Sequence, residues 1–184
     1  KADMNNIRQT IEEVDNETFI SVIQRMLNAK SIYVLGLRSA SPLAQFMGYY
    51  LNFIFDNVRI VTSGVNDIFE QLFHIGSGDL IIGISFPRYA SRAIEAMKFS
   101  KERGALTVAL TDSMLSPLTA YSDYTLLARS DMVSFVDSLV APLSLINAII
   151  AAIGQIRKDE IYNNFHDLEE IWAEYKVYKG KETT

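Results

Sequence analysis

Cysteine is absent from the 184 residues. That excludes a disulfide framework, a thiolate nucleophile and a cysteine-based zinc site, and makes a reducing cytoplasm the natural setting. Positive charge is also short: 17 Lys and Arg against 22 Asp and Glu leave a formal net charge of −5. The chain alone therefore offers no basic surface to a nucleic-acid duplex, whose affinity comes largely from phosphate neutralisation. The two histidines and the carboxylates form no group at metal-ligand spacing, so neither a metal nor a cofactor is expected. Gly36 to Ser41 lacks the G-x-G-x-x-G pattern of a dinucleotide site. The most apolar stretch, Val133 to Ile156, is interrupted by Asp137, Ser138, Pro142, Ser144, Asn147, Gly154 and Gln155. It falls short of the ~18 uninterrupted apolar residues of a membrane span and predicts a buried helix, with no membrane partner. No internal repeat stands out, and no positive segment followed by an apolar one marks a signal peptide. The chain opens at Lys1 rather than Met, which predicts that it belongs to something longer.

What is present is a chain 49% apolar and long enough for a single domain with a sizeable core. Ile7, Ile11 and Val14, then Phe19, Val22, Ile23, Met26 and Leu27, recur at helical spacing and predict two helices with Asp15 as a cap between them. Apolar runs predict strands at Ser31–Gly36, Val58–Val61, Leu80–Ile84, Leu106–Leu110 and Tyr124–Ala128. Helices are predicted at Leu43–Phe55, Asn66–Phe73 and Ala90–Arg103, the last ending at Gly104. Strands alternating with helices imply right-handed crossovers and a parallel sheet covered on both faces, an α/β three-layer sandwich of five strands. Leu139–Ile153 reads as a helix apolar nearly all round, buried in the core or in the core and a dimer interface. Ile161, Phe165, Leu168, Trp172 and Tyr175 form a stripe on a further, charged helix. Residues 179–184 are polar, and fraying is expected there.

Ligands of open parallel sheets bind beyond the carboxyl ends of the strands, where strand order reverses. Three turns at such ends are rich in hydroxyls or arginine: Gly36 to Ser41, Ser85 to Tyr89 and Thr111 to Ser113. Together they suggest an anion site of helix N–H groups, serine hydroxyls and an arginine fork. Gly36 lets the chain turn sharply and aims Arg38, Ser39 and Ser41 at the crevice, although Ser41 serves equally as a cap for a helix opening at Pro42. Ser85 holds the equivalent place after the third strand, with Ser91 nearby. Arg88, between the stiff Pro87 and the stacking ring of Tyr89, suits bidentate phosphate recognition, the alternative being an exposed surface arginine. Thr111 and Asp112 either meet the ligand or cap the turn that follows them.

Bases for proton transfer are sparse. Asp67 and Glu70 read as a solvated helix face, His74 as a packed ring or helix-end partner, and His166 as surface. Asp137 and Ser138 stand at the head of the apolar helix, where a charge is unexpected; first-turn capping is one explanation and ligand contact the other.

The runs GLRSAS (Gly36–Ser41), ISFPRYAS (Ile84–Ser91), LTDS (Leu110–Ser113) and SFVDSLVAPLSLINAII (Ser134–Ile150) resemble the SIS, or sugar isomerase, domain. More specifically they are similar to the effector-binding half of RpiR/MurR-type transcriptional regulators, over about residues 15 to 160. The resemblance implies a flavodoxin-like sheet and a sugar or amino-sugar phosphate effector held by Ser39, Ser41, Ser85 and Arg88. It brings Ser134, Asp137 and Ser138 towards the site as well. It further implies a homodimer with the site near the subunit interface, and a helix-turn-helix domain preceding Lys1 that alone contacts DNA. Residues 1–15 would then be the connector, 16–178 the SIS domain and 179–184 a disordered tail. SIS enzymes commonly carry Ser-x-Ser-Gly-x-Ser/Thr after the third strand. Ser85-Phe86-Pro87-Arg88-Tyr89 lacks that glycine. The resemblance therefore favours a sensor without catalytic residues over a sugar-phosphate aldose–ketose isomerase, which would need a base near the substrate carbons.

Overall fold

The structure is a computed structural model, described here for residues 1–131, 135 and 137–178. Five strands, β1 (Ile32–Gly36), β2 (Val58–Val61), β3 (Leu80–Ile84), β4 (Leu106–Thr111) and β5 (Tyr124–Leu127), form one all-parallel sheet in the order β2-β1-β3-β4-β5. The α/β class and the five parallel strands are as expected from the apolar runs. β1 and β3 are buried at every position, so their sequences read as continuous apolar runs rather than alternating ones.

Alternation survives inside those runs. Ile32, Val34, Leu80, Ile82, Ile84, Val108 and Leu110 face one core, and Tyr33, Leu35, Ile81 and Ala109 the other. The first core is covered by α2 (Asn16–Leu27), α3 (Ser41–Leu51) and α6 (Val140–Ile156), the second by α4 (Ile68–Gln71) and α5 (Ser91–Glu102). Each fully buried Ile or Leu stabilises by roughly 1.5–3 kcal/mol. On the second face Gly83 makes room for Met97, whose Sδ lies 2.5 Å from where a Cβ would stand.

α1 (Ala2–Glu13) lies outside α6, and α7 (Lys158–Glu174) turns away from α6 at 98°. Asp15 caps α2 as predicted, accepting from the Thr18 N–H at 2.9 Å. α1 departs from its sequence pattern. Ile11 is 71% exposed, whereas Asn6 and Thr10 are buried. In α7, Phe165 and Trp172 pack against Phe53, but Tyr175 is exposed, so the expected stripe stops one turn early. α6 buries Ala141, Pro142, Leu145, Ile146, Ile149 and Ile153 and exposes Asn147, Ala148 and Ala151. No single helix among the described residues is long and apolar enough to cross a membrane. The predicted tail, residues 179–184, lies outside the described residues.

Candidate functional site

The connection after β1 runs to one face of the sheet through α3, and the connection after β3 runs to the other through α5, so strand order reverses between β1 and β3. A cleft of about 940 Å³ opens there at the carboxyl ends, bounded by the turns after β1, β2 and β3. Such a crevice is where open α/β sheets bind ligands.

Two of its walls are held in strained backbone. Arg38 has φ 55° and Arg88 φ 64°, left-handed values that cost a non-glycine residue about 1 kcal/mol or more. Lys176, beyond α7, is the third such residue among those described. Both strained arginines line the cleft, and Arg92 joins them at the start of α5. Arg88 is mostly exposed and reaches Asp137, Nη2 to Oδ2, at 3.3 Å. Three guanidinium groups against one lining carboxylate, Asp67, make a cationic site in a chain of net charge −5.

The hydroxyls of Ser39, Ser63, Ser85 and Ser91 share this lining. Ser85 is fixed by its own N–H, which donates to the Leu110 carbonyl at 3.1 Å as the sheet ends. Helix α5 opens on the cleft behind Ala90, which has no side chain to cap it. Its first N–H groups, which have no intrahelical partners, are therefore available to an anion. Ser91 is the first residue of α5 rather than a full turn into it.

Of the residues singled out from sequence, Arg38, Ser39, Ser85, Arg88, Tyr89 and Ser91 meet in the cleft. The others stand behind it. Gly36 is buried, and a Cβ there would lie 2.6 Å from both the Ala40 carbonyl oxygen and the Ala44 Cβ, so its role is close packing of the turn onto β1. Ser41 is the first residue of α3 and forms no cap; the N-cap position is Ala40, so the helix does not open at Pro42. Thr111 is buried with its hydroxyl 2.8 Å from that of Ser116. Asp112 accepts from the Tyr89 hydroxyl at 2.8 Å, so the pair Thr111 and Asp112 backs the ring of Tyr89 instead of capping the next turn. Burial first, and then the Asp112 carboxylate, push the Tyr89 phenol up to about 12.

Asp137 and Ser138 do not cap α6, which begins at Val140 behind Leu139. Asp137 is buried against Arg88, and Ser138 donates to Asp3 at 2.6 Å. Ser134 lies outside the described residues.

The loop after β2 was not singled out from sequence, yet Ser63, Gly64, Val65, Asn66 and Asp67 form one side of the cleft. Only the sheet order, which seats β2 beside β1, points to it. Asp67 and Glu70 are not a plain solvated face. Asp67 Oδ1 accepts from the Phe69 N–H and Glu70 Oε2 from the Asp67 N–H, a capping box that opens α4 at Ile68 rather than Asn66. Asp67 Oδ2 is paired with Arg92. His74 is exposed beside Phe73, and His166 is exposed near Glu170.

The SIS domain family model matches residues 25–152. An uncharacterized HTH-type transcriptional regulator of Haemophilus influenzae is 28% identical over 160 residues, which cover 84% of this chain and 55% of that protein. The chain thus spans about half the length of that relative. The sugar isomerase domain of an RpiR transcription factor from Sphaerobacter thermophilus matches with a TM-score of 0.87 at 26% identity, covering 92% of this chain and 94% of that one. The Vibrio vulnificus NanR protein, complexed with ManNAc-6P, shares the fold with a TM-score of 0.79 at 18% identity, over 94% of this chain and 66% of that one.

Proposed function

Because the chain belongs to the SIS domain family, we propose that it is the effector-binding domain of a DNA-binding transcriptional regulator of carbohydrate metabolism, and that its effector is a phosphorylated sugar or amino sugar. The observation that carries this reading is the pair of arginines, Arg38 and Arg88, held in left-handed backbone on opposite walls of the cleft at the reversal of strand order. A phosphate between them accepts from guanidinium forks, from Ser39 and Ser85, and from the uncapped start of α5. The sugar then lies along the Ser63–Asn66 side, with the ring of Tyr89 as a stacking surface. The regulator names of the relatives support the same class. In this reading the domain works as a homodimer in the cytoplasm, and DNA is contacted by a helix-turn-helix domain reached through α1.

An aldose–ketose isomerase needs a free base beside the substrate carbons. The one carboxylate lining the cleft, Asp67, spends both oxygens, on the Phe69 N–H and on Arg92. The described part of the cleft thus supports binding better than turnover.

Thermal shift against hexose, pentose and amino-sugar phosphates and their unphosphorylated parents tests this. A ligand at 100 times its Kd adds about 2.7 kcal/mol, a rise of roughly 5–10 °C for a domain of this size. Arg88→Ala is expected to weaken binding by roughly 10- to 100-fold while the chain stays folded. Unchanged affinity in that variant overturns the assignment, and ketose–aldose turnover of the bound compound makes the protein an enzyme.

A further inference from the structure

Arg88 is the meeting point of the cleft and a second set of contacts. Its guanidinium is 71% exposed and holds Asp137 through one nitrogen, at 3.3 Å. The Asp137 side chain is only 4% exposed, and its Oδ1 has no partner among the described residues. A buried carboxylate with one long ionic contact and one bare oxygen depends heavily on that contact, because an uncompensated buried charge is strongly destabilising.

Next to Asp137, the Ser138 hydroxyl donates to Asp3 of α1 at 2.6 Å. Further along α1, Asn6 donates to the Asp131 carbonyl at 3.3 Å, Thr10 Oγ1 accepts from the Arg129 N–H at 2.9 Å, and Glu13 is paired with the Arg129 guanidinium. Among the described residues, every side-chain hydrogen bond that α1 makes outside itself goes to the chain between Arg129 and Ser138. The apolar residues that normally dock a helix are absent from this contact, since the buried positions of α1 are Asn6 and Thr10.

We propose that Asp137 competes with an incoming phosphate for Arg88, and that loss of the Arg88–Asp137 pair loosens α1 through Ser138, Asp131 and Arg129. The inference rests on the cleft being a sugar-phosphate site. A phosphate dianion offers Arg88 two charges and a bidentate geometry against the single contact to Asp137, so it wins the guanidinium. Asp137, stripped of its cation, leaves its buried position for water and carries Ser138 away from Asp3. α1, held by these polar contacts alone on that side, responds. The ligand shifts the helix because it has different affinities for the paired and unpaired states, as coupling between two sites requires.

The test uses the whole 184-residue chain with N-acetylmannosamine 6-phosphate, glucosamine 6-phosphate and inorganic phosphate as probes. Binding is read by calorimetry, and hydrogen exchange is followed at the amides of residues 2–13. In the unmodified chain, a bound sugar phosphate is expected to speed α1 exchange about tenfold, within the range of common coupling. Asp137→Asn keeps the shape and removes the competing charge. It is expected to bind the same sugar phosphate about tenfold more tightly, to show fast α1 exchange without ligand, and to gain little more on binding. Weaker binding by Asp137→Asn means that Asp137 orients Arg88 for the ligand, and overturns the proposal. So does α1 exchange in the unmodified chain that ignores a bound sugar phosphate, a measurement that stands even if the variant fails to fold. Absence of binding by all three probes removes the effector reading and this inference together, whereas binding without any change in α1 removes only the inference.

Discussion

The two edges of the sheet are built from similar turns and treated in opposite ways. At the amino edge, the left-handed positions belong to glycines, Gly78 with φ 89° and Gly104 with φ 85°. The polar side chains there are consumed by the fold. Asn57 donates to the Ala29 and Lys30 carbonyls, and Asp79 accepts from the Gly76 N–H. Asp123 accepts from the Thr107 N–H and hydroxyl and from Lys101, while Arg103 donates to the Ile75 and Phe73 carbonyls. At the carboxyl edge the left-handed positions belong to Arg38 and Arg88, and the serines around them point into an open cleft. A chain selected for stability alone would place glycine at all four positions. The strain kept at one edge, with hydroxyls and helix N–H groups left over, marks where binding was favoured at stability's expense.

Breaking the foundation of the open edge is expected to have the largest effect. In Gly36→Val the new Cβ meets the Ala40 carbonyl, which cannot yield without moving the turn that carries Arg38. We expect a loss of about 3 kcal/mol, a fall of roughly 10 °C in the melting temperature by calorimetry, and loss of ligand binding with it. Exchanging residues across the comparison gives effects near 1 kcal/mol of opposite sign. Gly104→Ala puts a Cβ on left-handed backbone and is expected to destabilise by about 1 kcal/mol in denaturant unfolding, with binding intact. Arg38→Gly relieves the same strain and is expected to stabilise by up to about 1 kcal/mol while weakening sugar-phosphate binding. If both variants destabilise, strain at the cleft is not what separates the edges.

The smallest effect concerns Tyr89. Its phenol keeps its proton in the folded chain up to about pH 12, and the unfolded phenol loses its proton near 10, so the stability it contributes is complete below pH 10 and disappears as pH rises towards 12. Tyr89→Phe is expected to cost about 1 kcal/mol at neutral pH through the lost bond to Asp112. It should also flatten the decline in stability between pH 10 and 12.

Sequence and structure agree best where one physical signal dominates. β2 and β3 have the bounds their apolar runs imply, because burial on both faces leaves no other reading. The arginine and serine turns after β1 and β3 were legible because proline, hydroxyls and arginine concentrate there. Helix starts were less so. α4 begins at Ile68 since Asp67 turns back to cap it, and α6 begins at Val140 since Asp137 is drawn to Arg88, contacts that no local pattern announces. The buried face of α1 was misread for the same reason. Ile7 and Ile11 carry the helical period, but the partners of Asn6 and Thr10 lie more than a hundred residues away. Ser63 to Asp67 and Arg92 escaped notice because an ordinary polar turn and one more surface-like arginine become a site only once the strand order is known.

The strand order also bears on how the molecule is made. β1 is translated first but must wait for β3, from Leu80, to gain its second neighbour, and β3 must wait for β4. Such pairings close long loops before any contact rewards them, so folding is expected to be slow for the domain's size and to be completed around β1, β3 and β4. The edge strands β2 and β5, four residues each and partly exposed, join a finished centre and open before it does. Both arginine turns spring from that centre. Fraying of either edge in the native protein therefore leaves Arg38 and Arg88 anchored, and the cleft outlasts the local unfolding around it.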